Sequence, residues 1–157
     1  MSSPIRFIAM PTELVTRLQN GDPDANGQFP ERVISDGDGV PCRHCLQQVA
    51  AGEPYLILAH RPFATVQPYA ECGPIFLHAT RCERYAESAA LPPILGSPQY
   101  ILRGYNAAER IIYGTGQIVP APEIPARAAE LFTRDDVAFV HIRSATNNCF
   151  QCRIERA

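Results

Sequence analysis

Lysine is absent from this sequence, and all 14 cationic side chains are arginine. Without a lysine amine no side-chain Schiff base can form, so lysine-anchored pyridoxal phosphate and lysine-dependent aldolase chemistry are excluded. The P-loop is excluded as well, because that motif places a lysine on the nucleotide phosphates.

Excess positive charge and long apolar runs are also missing. The net charge is -2, so the protein has no overall positive charge that would attract nucleic acid or an anionic membrane. No run of 18 or more apolar residues is long enough to span a bilayer. The first six residues, Met1–Arg6, lack the apolar core of a secretion signal, so we expect a cytoplasmic location. We therefore expect neither a nucleic-acid nor a membrane partner, and a small-molecule ligand is one candidate partner.

The composition is that of an ordinary globular protein. With 157 residues and 46% apolar side chains, the chain fits one domain, residues 1–157. Short apolar runs predict seven or eight strands, and helical spacing predicts two or three short helices. Because the strands do not alternate regularly with helices, we expect an α+β fold with a largely antiparallel, curved sheet. Arg110–Tyr113 is predicted to form a hairpin with Tyr100–Tyr105.

Six cysteines are many for a protein that we expect in a reducing compartment, where disulfides are rare. Two Cys-x-x-Cys pairs stand out: Cys42 with Cys45, and Cys149 with Cys152. Two such pairs can supply a tetrahedral zinc site, which needs four soft ligands at about 2.3 Å.

Strand alternation argues against a metal site that uses both cysteines of the second pair, Cys149 and Cys152. Side chains three residues apart on a strand point to opposite faces. In the last predicted strand, Cys152 shares the apolar face with Phe150 and Ile154, so only Cys149 is free to meet the first pair. We therefore predict Cys42, Cys45 and Cys149 as metal ligands, with His44 as the candidate fourth ligand and zinc as the candidate metal. His141 is an alternative imidazole.

The first cysteine pair has two other interpretations. Arg43 and His44 lie between the thiols and favour a thiolate electrostatically, as in redox-active pairs. Such pairs start a helix in a βαβ unit, however, and the segment 46–51 allows at most two helical turns. Simple burial of the thiols is the other alternative, because free cysteine is among the most buried residue types.

A third group of chemically capable side chains lies in the segment 69–78. Glu71, Cys72 and His78 bring a carboxylate, a thiol and an imidazole within eight residues, with a Gly-Pro turn between acid and base. If the chain folds back at this turn, Glu71 can exchange a proton with His78, and Cys72 can act as a nucleophile activated by the imidazole. These three are the candidate catalytic residues.

Several segments together resemble a bacterial family known only as domain of unknown function 1203. These segments are Pro41-Cys42-Arg43-His44-Cys45-Leu46, Gly52-Glu53-Pro54-Tyr55-Leu56, Arg61-Pro62-Phe63, Glu71 to His78, Tyr100 to Tyr105, Val140 to Arg143 and Cys149 to Arg156. The resemblance implies a stand-alone bacterial domain. It brings no activity, ligand or catalytic residue.

Three functional hypotheses follow from these residues. The first is a ligand- or metal-binding domain whose site combines cysteine, histidine and glutamate side chains. The second is a small enzyme that uses a thiol, or Glu71 with His78, on a small molecule. The third is a protein-interaction module whose cysteines only pack.

Overall fold

The computed structural model describes residues 4–157, which form eight strands and two α-helices. The first three residues of the segment considered above as an export signal therefore lie outside the described part. The strands are β1 (Ile5–Ile8), β2 (Glu31–Ile34), β3 (Pro54–His60), β4 (Gly73–His78), β5 (Gln99–Tyr105), β6 (Gln117–Pro120), β7 (Phe139–Ser144) and β8 (Phe150–Arg156). The helices are α1 (Thr12–Gln19) and α2 (Ile124–Leu131), the second preceded by a 3-10 turn at Ala121–Glu123.

All strand pairs are antiparallel, and they form two sheets. One sheet has five strands in the order β1-β8-β7-β5-β6, and the other has three in the order β2-β3-β4. The predicted α+β class, strand number, helix number and antiparallel pairing are confirmed. Neither helix within residues 4–157 is long and apolar enough to cross a membrane.

The chain divides into two compact units. Unit 1 contains the described residues up to Ile8 together with Phe63–Ala70 and Ala86–Ala157, and unit 2 contains Ala9–Pro62 and Glu71–Tyr85. The five-stranded sheet and α2 belong to unit 1, and the three-stranded sheet and α1 belong to unit 2. The single domain spanning 1–157 stays a prediction.

Unit 1 has a core between α2 and one face of its sheet. The buried side of α2 contributes Ile124, Ala128 and Leu131. β8 alternates as predicted: Cys152 is 1% exposed and belongs to this core with its strand neighbour Ile154. The inward orientation of Cys152 is confirmed.

The predicted hairpin has the right first strand and the wrong second one. β5 pairs with β6, so that Tyr100 faces Val119. The segment Arg110–Tyr113 makes only an isolated bridge, Tyr105 to Ile111. A turn separates Arg110–Tyr113 from β6. At this turn Gly114 has a φ of 95°, a conformation that glycine adopts without steric cost.

Unit 2 has a separate core that surrounds the first cysteine pair. Leu56 and Leu58 of β3 and Ile75 and Leu77 of β4 alternate with half-buried neighbours, so one sheet face is apolar. This face packs with α1 and with the segment around Cys42 and Cys45; the remaining members of the core are Met10, Val15, Leu18, Val40, Val49 and Ala79.

Candidate metal centre

Cys42 and Cys45 lie in a tight, buried turn of unit 2. The turn is closed by a bridge between Pro41 and Gln48, and the Val49 N–H donates to the Val40 carbonyl at 2.8 Å. Leu46 takes a left-handed φ of 53°, which costs a non-glycine residue free energy, and its side chain is buried. The turn therefore holds both thiols in fixed positions at the edge of the core.

β4 brings the turn against His78. Cys42 forms a parallel bridge with Phe76, and the Arg43 N–H donates to the Phe76 carbonyl at 3.1 Å. The imidazole Nδ1 of His78, the last residue of β4, lies 3.4 Å from Cys45 Sγ. The segment that follows β4 is held against α1 by the side-chain amide of Gln19, which donates to the carbonyls of His78 and Thr80, both at 2.9 Å.

Cys82 completes a group of four potential metal ligands. Cys42, Cys45, His78 and Cys82 each offer one ligand atom, and these atoms all lie within 4.8 Å of one another. The Sγ atoms of Cys42 and Cys82 are 3.9 Å apart. All four residues belong to unit 2.

The distances fit a tetrahedral zinc ion. Zinc bonds of about 2.3 Å to sulfur and 2.0–2.1 Å to nitrogen, at tetrahedral angles, imply separations of about 3.8 Å between sulfurs and about 3.6 Å between sulfur and nitrogen. The observed separations are 3.9 Å between Cys42 and Cys82, and 3.4 Å between Cys45 and His78. The group thus has the donor types of a Cys₃His site, two of its six ligand separations match tetrahedral zinc, and all six lie within 4.8 Å.

Backbone donors surround the Cys42 sulfur. The His78 N–H donates to Cys42 Sγ at 3.3 Å, and the N–H groups of His44 and Cys45 also point at it. The hydrogen bond from the Cys45 thiol, together with these three N–H groups, outweighs burial and lowers the pKa of Cys42 to about 4. The turn therefore stabilises an anionic sulfur before any cation is added.

The other two thiols hold their protons more tightly in the absence of metal. The hydrogen bond to Cys42 and then burial raise the pKa of Cys45. Burial, followed by the negative charge of Cys42, raises the pKa of Cys82 to about 12. Of the three close sulfurs, Cys42 therefore carries the negative charge, and its repulsion helps to keep Cys45 and Cys82 protonated. A divalent cation would relieve this repulsion.

Two further side chains contact the ligands from outside the group. His44 Nδ1 lies 3.0 Å from Cys82 Sγ, and its Nε2 lies 2.8 Å from the Thr12 hydroxyl. Glu53 Oε2 lies 3.8 Å from His78 Nε2, on the side of the ring away from Cys45. A carboxylate behind a liganding imidazole is a common arrangement at zinc sites.

The predicted ligands divide into three sets. Cys42 and Cys45 belong to the group. His44 contacts it through Cys82. Cys149 is not one of the four; it belongs to unit 1, where its thiol lies 3.8 Å from the Asn147 carbonyl.

The predicted catalytic residues are not brought together. Gly73–His78 is one continuous strand, so the chain does not fold back between Glu71 and His78. The five steps of that strand extend roughly 16 Å at 3.3 Å per residue. Cys72 lies before the strand, with its sulfur 3.7 Å from Asn26 Oδ1. The sequence predicts His78 as the base that exchanges a proton with Glu71. In the structure the His78 ring lies beside the thiols of Cys42, Cys45 and Cys82 instead.

Cys82 was missed by sequence reasoning, although a signal was present. Three residues separate His78 from Cys82, and three to five residues separate the two ligands of the second pair in many zinc sites. Cys-x₂-Cys followed by His-x₃-Cys is therefore the pattern that locates this site.

The family model described as a protein of unknown function (DUF1203) matches residues 39–156, and so includes all four residues of the group. The chain belongs to this family. No curated protein and no solved structure matches the chain.

Proposed function

We propose that this protein is a zinc-binding domain, in which Cys42, Cys45, His78 and Cys82 hold one Zn²⁺. The observation that carries the proposal is the agreement between the ligand separations, 3.9 Å and 3.4 Å, and those of a tetrahedral Cys₃His site. Thiolate and imidazole donors in this geometry favour zinc over hard cations such as Mg²⁺ or Ca²⁺.

The site would be structural in type. Catalytic zinc keeps a coordination position for water or substrate, whereas four protein ligands fill a structural site. The metal would join three separate parts of unit 2, namely the turn with Cys42 and Cys45, the end of β4, and the segment that carries Cys82. A reducing, cytoplasmic compartment belongs to the proposal, because the ligand thiols must stay reduced to bind.

Two alternatives have less support. The form of the enzyme hypothesis that uses Glu71 or Cys72 needs these residues near His78, and they precede β4, at the strand end away from His78. The packing hypothesis explains buried thiols but does not require three backbone N–H groups aimed at Cys42 Sγ.

Elemental analysis of the purified protein, with serine substitutions, tests the proposal. We expect about one equivalent of zinc, by the four-ligand stoichiometry of structural sites, and its loss in Cys42→Ser and Cys82→Ser. Cys149→Ser is the matched control, because Cys149 is a half-buried thiol outside the group, and it should keep the metal. Metal-free protein with six free thiols would refute the proposal.

A further inference from the structure

A groove of about 1000 Å³ runs along α1 in unit 2. One wall is the polar side of the helix, and the opposite wall is the segment Ala79–Arg84. The helix and its C-cap residue contribute hydroxyl and amide side chains to it, those of Thr12, Thr16, Gln19 and Asn20.

Cys82 and His44 both line this groove. Cys42 is 0% exposed and Cys45 is 8% exposed, and neither is among the lining residues, whereas Cys82 is half-buried. A small molecule in the groove therefore meets one sulfur of the metal centre and is kept from the other two by protein.

His44 fixes the orientation of this sulfur. A metal-bound thiolate only accepts hydrogen bonds, so the 3.0 Å contact requires that His44 Nδ1 donate. The Thr12 hydroxyl then donates to Nε2 at 2.8 Å, which fixes the tautomer. The hydrogen bond occupies one side of the sulfur, and the groove leaves another side open.

We propose that Cys82 is a modification site, at which small uncharged electrophiles alkylate the metal-bound thiolate and so release the metal. The proposal rests on the zinc-binding function proposed above. The Cys82 Sγ lone pair forms a bond to the electrophilic carbon while the bond from that carbon to its leaving group breaks, and the leaving group departs with the bonding pair. The product is a neutral thioether, which is a weaker zinc donor than a thiolate, and the site keeps only three of its ligands.

The lining of the groove indicates the class of reagent. Its charged side chains have both signs, Arg81 and Arg84 against Glu83, and its other polar groups are neutral donors and acceptors. This lining offers hydrogen bonds to a small polar molecule without requiring that the molecule carry a charge.

The test is a time course of the zinc-loaded protein with iodoacetamide. Zinc is measured before the reagent is added, zinc release is followed with a chromogenic chelator, and each cysteine is quantified by peptide mass spectrometry. Among the three ligand thiols, Cys82 should react at least about tenfold faster than Cys42 and Cys45, because reaction follows thiolate character and exposure. Zinc release should match Cys82 modification one to one.

Cys72 is an internal reference for the reagent, since its thiol is half-buried and outside the metal group. Modification of Cys42 or Cys45 before Cys82, or alkylation of Cys82 with the zinc retained, overturns this inference. Neither result contradicts the proposed zinc-binding function. A protein without zinc before the reagent is added overturns the proposed function, and this inference with it.

A pair of helix variants tests the route through the groove. Thr16→Phe places a ring on the groove wall, and Arg17→Phe places the same ring on the neighbouring exposed position outside the lining. Thr16→Phe should slow Cys82 alkylation severalfold while the zinc content is unchanged, and Arg17→Phe should not. Equal rates in both variants contradict entry through the groove.

Discussion

His44 shows how a residue outside the metal group can act on it. It was predicted as a ligand, and its ring instead lies between Cys82 Sγ and the Thr12 hydroxyl, with only 2% of the residue exposed. Burial lowers the pKa of His44, so the ring is a neutral donor to the sulfur at neutral pH.

We expect His44→Leu to weaken zinc binding by about 10- to 100-fold, as the loss of outer hydrogen-bond partners does at other metal sites. His44→Asn is the matched variant, because its side-chain amide can donate in place of Nδ1. Competition with a chelator of known affinity measures both. Equal affinities of the Leu and Asn variants would show that the Nδ1 hydrogen bond has no effect on the metal.

At this scale the sequence predicts half of the ligand set. Cys42 and Cys45 are evident from their spacing and the preceding proline. Cys82 is marked only by its spacing from His78, because nothing else in residues 79–85 indicates that this segment returns to the turn. The contact depends on Gln19, which holds the carbonyls of His78 and Thr80 against α1, and such a long-range hydrogen bond leaves no local pattern.

Among the elements, the loop between α1 and β2 depends on one carboxylate. Asp24 accepts hydrogen bonds from the N–H groups of Asn26 and Gln28, and through its other oxygen from the N–H of Ala59 in β3, all at 2.9–3.1 Å. Burial alone would raise the pKa of Asp24, but these three donors outweigh it and lower the pKa below the usual 3.8.

Asp24→Asn should therefore lower the free energy of unfolding at pH 7, by about 1–2 kcal/mol for hydrogen bonds to a partly exposed charge. Because the folded pKa is lowered, this contribution is present above about pH 4 and is lost as the pH falls through the folded value. Urea unfolding of both proteins at pH 7 and pH 3 measures it. The difference between the two proteins should shrink at pH 3; a constant difference would mean that the carboxylate charge is not responsible.

Element prediction succeeded where the alternation of side chains was regular. β8 was read correctly, and Cys152 lies in the core as its position between Phe150 and Ile154 required. The second strand of the hairpin was misplaced, because Ile111 and Ile112 look like strand residues and the turn at Gly114 returns the chain to β5 only at Gln117. The division of eight strands between two sheets was also not evident, since strand order depends on contacts far apart in the chain.

For the whole molecule, all four ligands belong to one of the two units. Structural zinc stabilises the fold that positions its ligands, so chelation should act on unit 2. We expect removal of zinc to reduce amide protection at least about tenfold in the turn around Cys42 and in β4, while β7 and β8 of unit 1 keep theirs. Hydrogen exchange with mass spectrometry, before and after addition of a strong zinc chelator, gives both values. Unchanged protection in β4, or equal loss in β7, would contradict this assignment.

X-ray absorption at the zinc edge tests the central claim most directly, because it counts the ligand types around the metal in the intact protein. The account predicts three sulfurs at about 2.3 Å and one nitrogen at about 2.0–2.1 Å. A shell of four sulfurs, or a shell of oxygen and nitrogen alone, would contradict it.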